Sequence, residues 1–261
     1  MARDDSRTAS AWHWFTLTYV SAVLLAAAVV PALPLHAQGS GRGFLFQRPA
    51  GSFTLRGGYT HANAGGDLFA FVTDNFTLGR SAFSGPTVQG DLALRLAPRM
   101  DLVLGAGYAG TSRSSEYRRY VDQNNQPIQQ TTAFQRVPLT ASVRAYLTPR
   151  GRSVGSFAWI PARLAPYVGA GAGAVYYRFR QQGDFVDFKT NNVFTSTFTS
   201  SGWAPAGQAL AGVDYTLSPR LALTGEAKYI WARGKVQGNY TGFRSIDLSG
   251  LNATVGLSVR F

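Results

Sequence analysis

The sequence predicts an all-β fold: a membrane-spanning, eight-stranded antiparallel up-and-down β-barrel that follows a cleaved signal peptide. Three observations predict it. A single targeting segment opens the chain, eight runs of alternating apolar and polar residues come after it, and the connections between those runs are alternately short and long. Composition agrees with this. The 261 residues include 29 glycines and no cysteine, and only 15% are charged, against roughly 25% in soluble domains. An apolar surface that water never touches accounts for the deficit. Without cysteine there is no disulfide scaffold, thiolate metal site, cysteine nucleophile or acylated-cysteine anchor. Lysine and arginine outnumber the acids by 25 to 13, a formal charge of +12. That balance suits nucleic acid, an anionic membrane surface or lipid phosphates.

Residues 1–37 read as targeting. Arg3 and Arg7 make a basic start, an apolar run extends from Phe15 to Leu33, and Pro31, Pro34 and Leu35-His36-Ala37 close the segment. Basic, apolar and small-residue regions in that order describe a secretory signal peptide. The alternative is an N-terminal anchor, since the run approaches the ~18 residues that span a bilayer; the prolines favour cleavage after Ala37. Residues 38–50 then form a periplasmic N-terminal segment and 51–261 the barrel. Arg3 and Arg7 cancel Asp4 and Asp5, so the mature chain keeps the whole charge.

After Ala37 no stretch reaches 18 consecutive apolar residues, and the remaining pattern has period two, as expected for strands between unlike environments. The last segment is the plainest: Leu251, Ala253, Val255, Leu257, Val259 and Phe261 alternate with Asn252, Thr254, Gly256, Ser258 and Arg260. Seven earlier segments follow the same rule. They are centred on Phe53–Tyr59, Asp91–Leu96, Leu102–Tyr108, Val137–Leu147, Val168–Tyr177, Gln208–Leu217 and Leu221–Trp231. At roughly 10 to 13 residues, each exceeds the 5–6 of an ordinary soluble strand and meets the 9–11 needed by a tilted membrane strand.

Leu96–Leu102 and Leu217–Leu221 are tight proline turns, and Thr148 to Ala165 is a longer link on the same side. The stretches 63–85, 113–134, 180–202 and 234–249 are long, rich in Asn, Gln, Thr, Ser and Gly, and unusual for compact soluble domains. They read as four mobile outer loops, or as a β-collar that continues the strands, an option compatible with the hydrophobic pattern from Phe69 to Phe83. Amphipathic rings prefer the headgroup level. On that basis Tyr59, Phe69, Phe71, Tyr108, Tyr117, Tyr120, Tyr176, Tyr177, Trp203, Tyr229 and Trp231 are expected at the outer interface, and Phe53, Tyr146, Tyr167, Tyr215 and Phe261 at the inner one.

With its strands laid out, the chain resembles the small outer-membrane β-barrel domain family, which includes opacity-type adhesins and porin-like eight-stranded proteins. The residues that carry the resemblance are Pro166-Tyr167-Val168-Gly169-Ala170-Gly171-Ala172-Gly173, the two Leu-x-Pro-Arg-type turns, and Val255-Gly256-Leu257-Ser258-Val259-Arg260-Phe261. The resemblance implies the cell outer membrane, both termini in the periplasm, and recognition of Phe261, supported by Leu257 and Val259, by the barrel-insertion machinery. It identifies architecture, since one fold serves many functions.

The alternation also sorts the charges. Arg56, Arg95, Arg144, Lys228 and Arg260 face the lumen with Asp91, Asp214 and Glu226, and the remaining charges divide between the outer loops and the periplasmic side. None is left for the lipid face, where a midplane Lys or Arg costs about 2–4 kcal/mol. Eight strands leave an interior that side chains just fill. The lumen set is therefore either a plugged salt-bridge and hydrogen-bond network or a narrow polar conduit for small solutes. Among the outer arginines, Arg113, Arg118, Arg119 and Arg178 lie beside tyrosines and are candidates for lipopolysaccharide phosphate contact. A barrel enzyme acting on lipid A would need an activated nucleophile or water, usually with a histidine base. Only His61 remains after cleavage, with no flanking motif. No His/Cys/Asp/Glu cluster has metal-ligand spacing, no cofactor is implied, and Gly169 to Gly173 lacks the Lys-Ser/Thr of a phosphate loop. Export and the dispersal of charge argue against nucleic acid. The expectation is a monomeric, non-enzymatic barrel with a structural or surface-interaction role, the narrow channel being the rival and a lipid A-modifying enzyme the third reading.

Overall fold

The computed structural model describes residues 43–261 apart from 156, 188 and 191. The leader expected over 1–37 lies outside them. Among the described residues there are eleven strands: β1 (Gly51–Ala62), β2 (Gly85–Ala97), β3 (Met100–Val121), β4 (Pro127–Tyr146), β5 (Gly151–Val154), β6 (Ala158–Pro161), β7 (Leu164–Val186), β8 (Val193–Thr216), β9 (Leu221–Gly234), β10 (Ile246–Asp247) and β11 (Gly250–Arg260). Eight of them form one antiparallel ring. β1 through β4 pair in succession, β4 pairs with β7, β7 with β8, β8 with β9 and β9 with β11. The ring closes where β11 returns to β1, from Ser52↔Arg260 to Ala62↔Gly250.

Period-two patterning dictates the two surfaces. Leu55, Leu94, Leu104, Leu139, Val168, Val213, Leu223 and Val255, one from each ring strand, are 38–57% exposed on the outside. Their neighbours on the inside, among them Thr54, Asp91, Ser142, Gln208, Thr224 and Asn252, are buried. On β7 the outward face runs from Leu164 to Tyr176. Twelve residue steps at about 3.4 Å, tilted by roughly 40°, give a height of about 30 Å, the thickness of a hydrocarbon core.

Glycine lets the interior be this narrow. A Cβ on Gly171 would collide with the Cβ of Ser142, and one on Gly173 with the Leu139 carbonyl oxygen. Glycine at both positions lets β7 lie close against β4.

Four ring strands are far longer than the 10 to 13 residues expected: β3, β4, β7 and β8 have 22, 20, 23 and 24. The stretches 113–134 and 180–202 are therefore mostly hairpin rather than loop. The other two long connections fold back over the same mouth. In the first, α1 (Asp67–Asn75) and a 3-10 turn (Arg80–Phe83) bury Leu68, Phe69, Val72, Phe76, Leu78 and Phe83. Gly66, at φ 89°, provides the left-handed entry to α1. In the last, β10 pairs with β9 at Ile246↔Gly234. Phe69 packs edge-to-face on Phe83, Phe134 and Phe179 at 4.7, 5.4 and 5.9 Å between ring centroids. This cap corrects the expectation of surface aromatics: Phe69, Tyr117 and Tyr177 are buried in the capped mouth, and Tyr146 and Tyr167 lie inside the lumen. All five satisfy the hydrophobic effect inward, on the face opposite to the lipid.

At the end with the short turns, the long link between β4 and β7 contains the β5–β6 hairpin. Leu45 bridges to Trp159 through paired backbone bonds of 2.9 and 2.7 Å, so the segment preceding β1 is stitched across that mouth. Among the described residues no helix is long and apolar enough to cross a membrane.

Candidate functional site

Inward-facing positions on β1, β2, β4 and β9 bring Arg56, Asp91, Arg144, Glu226 and Lys228 to one level of the lumen. Arg56 Nη2 donates to Asp91 Oδ2 and, at 2.9 Å, to Glu226 Oε1. Arg144 Nη2 lies 3.3 Å from Glu226 Oε2 and 3.7 Å from Asp91 Oδ2. Lys228 Nζ stands 3.3 Å from Glu226 Oε1 and donates to Gln89 Oε1 at 3.1 Å. Tyr167 adds a hydroxyl donor to Glu226 Oε2 at 3.1 Å, and its ring lies 4.2 Å below the Arg144 guanidinium. Asp214, nearer the short turns, accepts from Tyr146 at 3.0 Å. Three buried cations thus stand with three buried acids, and each acid has a donor. A buried charge is tolerated on those terms.

Arg95 and Arg260 lie lower in the lumen, apart from this level. Arg95 Nη1 donates to the Pro49 carbonyl at 3.2 Å, and Arg260 Nη2 to Thr216 Oγ1 at 3.1 Å. Three lumen residues escaped the sequence reading. Asp101, assigned by sequence to the periplasmic side, is 1% exposed on the inner face of β3 and accepts from Arg150 Nη1 at 2.7 Å. Arg136, assigned to the outer loops, is buried on the inner face of β4 and donates to the Leu248 carbonyl at 3.2 Å. Extending the alternation one residue, back from Leu102 and back from Val137, would have placed both. Arg150 left no such signal, because it enters the lumen from the β4–β7 link. Two small voids lie in the lumen, one of about 10 Å³ beside the network at Asp91 and Lys228 and one of about 20 Å³ at the short-turn end.

Outside, the ring strands carry no charged residue from Phe53 to Tyr59, Leu92 to Leu96, Val168 to Tyr176 or Leu251 to Val259 on the exposed face. Apolar outside, charged inside: this inverts the order of a soluble protein. The molecule is a transmembrane β-barrel. Tyr176 and Trp203 pair on the barrel's outer face at 5.4 Å, as do Tyr229 and Trp231 at 4.8 Å. Arg178 follows Tyr176 on that face and is exposed. Arg118 is also outward, but its Nε donates to the Phe76 carbonyl at 2.7 Å. Arg113 and Arg119 fall on the opposite face of β3, although exposed. The four arginines are therefore not one patch. His61 sits at the top of β1 with Nδ1 3.4 Å from Ser84 Oγ, and no carboxylate is hydrogen-bonded to either among the described residues. Among those residues no group of three or more His, Cys, Asp or Glu could hold a metal ion. Leu257, Val259 and Phe261 line the outer face of the closing strand, with Phe261 N donating to Gly51 O at 3.0 Å.

Several solved structures are similar to the barrel. The outer membrane protein OprG from Pseudomonas aeruginosa aligns with 83% of this chain and 99% of its own at 15% identity and a TM-score of 0.47. Neisserial surface protein A aligns with 81% and 99% at 16% identity and 0.42. A major outer membrane protein from Thermus thermophilus aligns with 81% and 100% at 14% identity and 0.44. No protein-family model and no curated protein sequence matches the chain.

Proposed function

We propose that the chain is a monomeric outer-membrane barrel with a structural and surface-interaction role, its short-turn end and both termini in the periplasm and its capped end outside. One observation supports this above the rest: the two ends of the same strands are built differently. The membrane-level lumen is filled by the charge network, whereas β7 continues ten residues beyond Tyr176 and carries its hairpin partner β8 with it. Such a molecule has more to present outside the bilayer than to pass through it. Arg178, adjacent to the Tyr176–Trp203 pair, is the proposed contact for lipopolysaccharide phosphate, since a guanidinium at headgroup level offers paired charge-assisted donors. Leu257, Val259 and Phe261 are proposed to be read by the insertion machinery. Catalysis is not part of the proposal: among the described residues no carboxylate is hydrogen-bonded to His61 to orient it as a base.

The test is planar-bilayer conductance of refolded protein, with the unboiled-versus-boiled gel shift as proof of a closed barrel. A shifting but silent barrel supports the reading. Steady, discrete openings whose ion selectivity changes with Arg144→Glu would replace it with a narrow channel, for which the two lumen voids are the structural opening. The lipid contact is read separately. Lipopolysaccharide should raise the unfolding temperature of the refolded protein, and Arg178→Ala should remove most of that increment.

A further inference from the structure

We propose that the lumen cavity at the short-turn end binds one small monatomic anion between Arg95, Arg150 and Arg260. The cavity, of about 20 Å³, is lined by these three side chains together with Asp214, Tyr146 and Trp159. It can hold a single water-sized particle, for which roughly 10–15 Å³ is enough; a halide is only modestly larger.

The donors around it are partly committed. Arg95 uses Nη1 on the Pro49 carbonyl, and Arg150 uses Nη1 on Asp101. Arg260 uses Nη1 on the Pro219 carbonyl at 3.5 Å and Nη2 on Thr216. Arg95 Nε and Arg150 Nε and Nη2 are buried with no hydrogen-bond partner. Buried guanidinium donors without an acceptor are costly, and three of them around one cavity suit a ligand that accepts from several directions at once, even beside the unpartnered Asp101 Oδ1.

Charge points the same way. Three guanidiniums meet two carboxylates, Asp101, engaged by Arg150, and Asp214, engaged by the Tyr146 hydroxyl. Arg48, at the rim, is exposed and bonded to Ser153. Asp214 is shared with the charge network above it, so the set keeps an excess of positive charge, which a monovalent anion lowers. Arg150 and Trp159 belong to the link between β4 and β7, while Arg95 and Arg260 belong to the wall. A bound anion would therefore latch the link across the mouth.

Chloride is the probe. The ³⁵Cl linewidth is followed in detergent-refolded protein at constant ionic strength, with gluconate, too bulky for the cavity, making up the balance. Wild type should show excess broadening that saturates at one site per barrel. Arg152→Gln, which removes an exposed cation on β5, should leave it unchanged. Arg150→Gln and Arg95→Gln should each weaken chloride at least tenfold; if one fails the gel shift, the other carries the comparison. Wild-type broadening that never saturates, or that matches the Arg95 and Arg150 variants, would mean that the cavity holds only water and would overturn the proposal.

Discussion

Glu226 is the residue on which the lumen turns, because one carboxylate faces Arg56, Arg144 and Lys228 and also accepts from Tyr167. Removing one member of a buried ion pair strands its partners, at a cost of about 3–5 kcal/mol. Glu226→Ala is therefore expected to lower the unfolding free energy of the folded barrel by about that amount, measured by denaturant titration in lipid or detergent. Lys228→Met, which removes a cation from the same cluster while keeping its stem, should cost markedly less. Asp67 makes a second residue-level case, this time in the cap. Its carboxylate accepts the backbone N–H of Arg244 at 2.8 Å, and that bond holds its pKa below the ordinary 3.8. A depressed folded pKa gives a stabilisation that is present above the ordinary value and lost as pH falls through the folded one. Hydrogen-exchange protection at Arg244 and Ser245, measured relative to the intrinsic rate, should fall as pH drops below 3.8, and Asp67→Asn should abolish that pH dependence. Nearby, burial pushes the Tyr240 phenol well above its ordinary value and keeps it a donor to Gln181 Oε1 at 2.7 Å.

At the scale of elements, the cap is built from two connections laid on the strand ends, outside the ladders that close the ring. Phe69 is fully buried among Phe83, Phe134 and Phe179, and truncating a buried Phe to Ala costs about 3–5 kcal/mol. Phe69→Ala should open residues 63–85 to limited proteolysis while the gel shift persists, because the ring ladders do not pass through the cap. Gly171→Val should do the reverse and suppress the gel shift, since its side chain would collide with the β4 wall at Ser142. The sequence made the eight strands and their inward sets legible, because period two survives any loop. It left the doubling of β3, β4, β7 and β8 as one option, a β-collar, beside four mobile loops. Above the lipid the outer face meets water, so outward residues such as Thr131, Gln135, Arg180 and Thr197 are polar like many of their neighbours, and the strand continues without its signature. Nor did it show the cap: the apolar residues Leu68, Phe69, Val72 and Phe76 follow helical spacing, but that spacing does not say where a short helix docks. Arg150 was illegible for the same reason, since a link residue has no face until the link is placed.

For the whole molecule, an outside without charge is a quantitative claim. Leu104 is 45% exposed on the lipid-facing part of the outer face of β3. Leu104→Arg is expected to cost about 2–4 kcal/mol in a bilayer. Lys228 and Arg144, at similar heights on the inner face, cost little because their counterions are already there. The comparison is a refolding yield in vesicles of wild type against variant. One further consequence lies in the seam between β1 and β11. The ladder that closes the ring joins Ser52 to Arg260, two residues from opposite ends of the barrel's sequence. Contacts so distant in sequence are slow to find one another. Until they do, β1 and β11 are both raw sheet edges that can recruit other chains. For this protein, the dangerous interval is therefore set by the time between translating the first strand and docking the last, and a chaperone that shields β1 during that delay would do more for yield than any added stability.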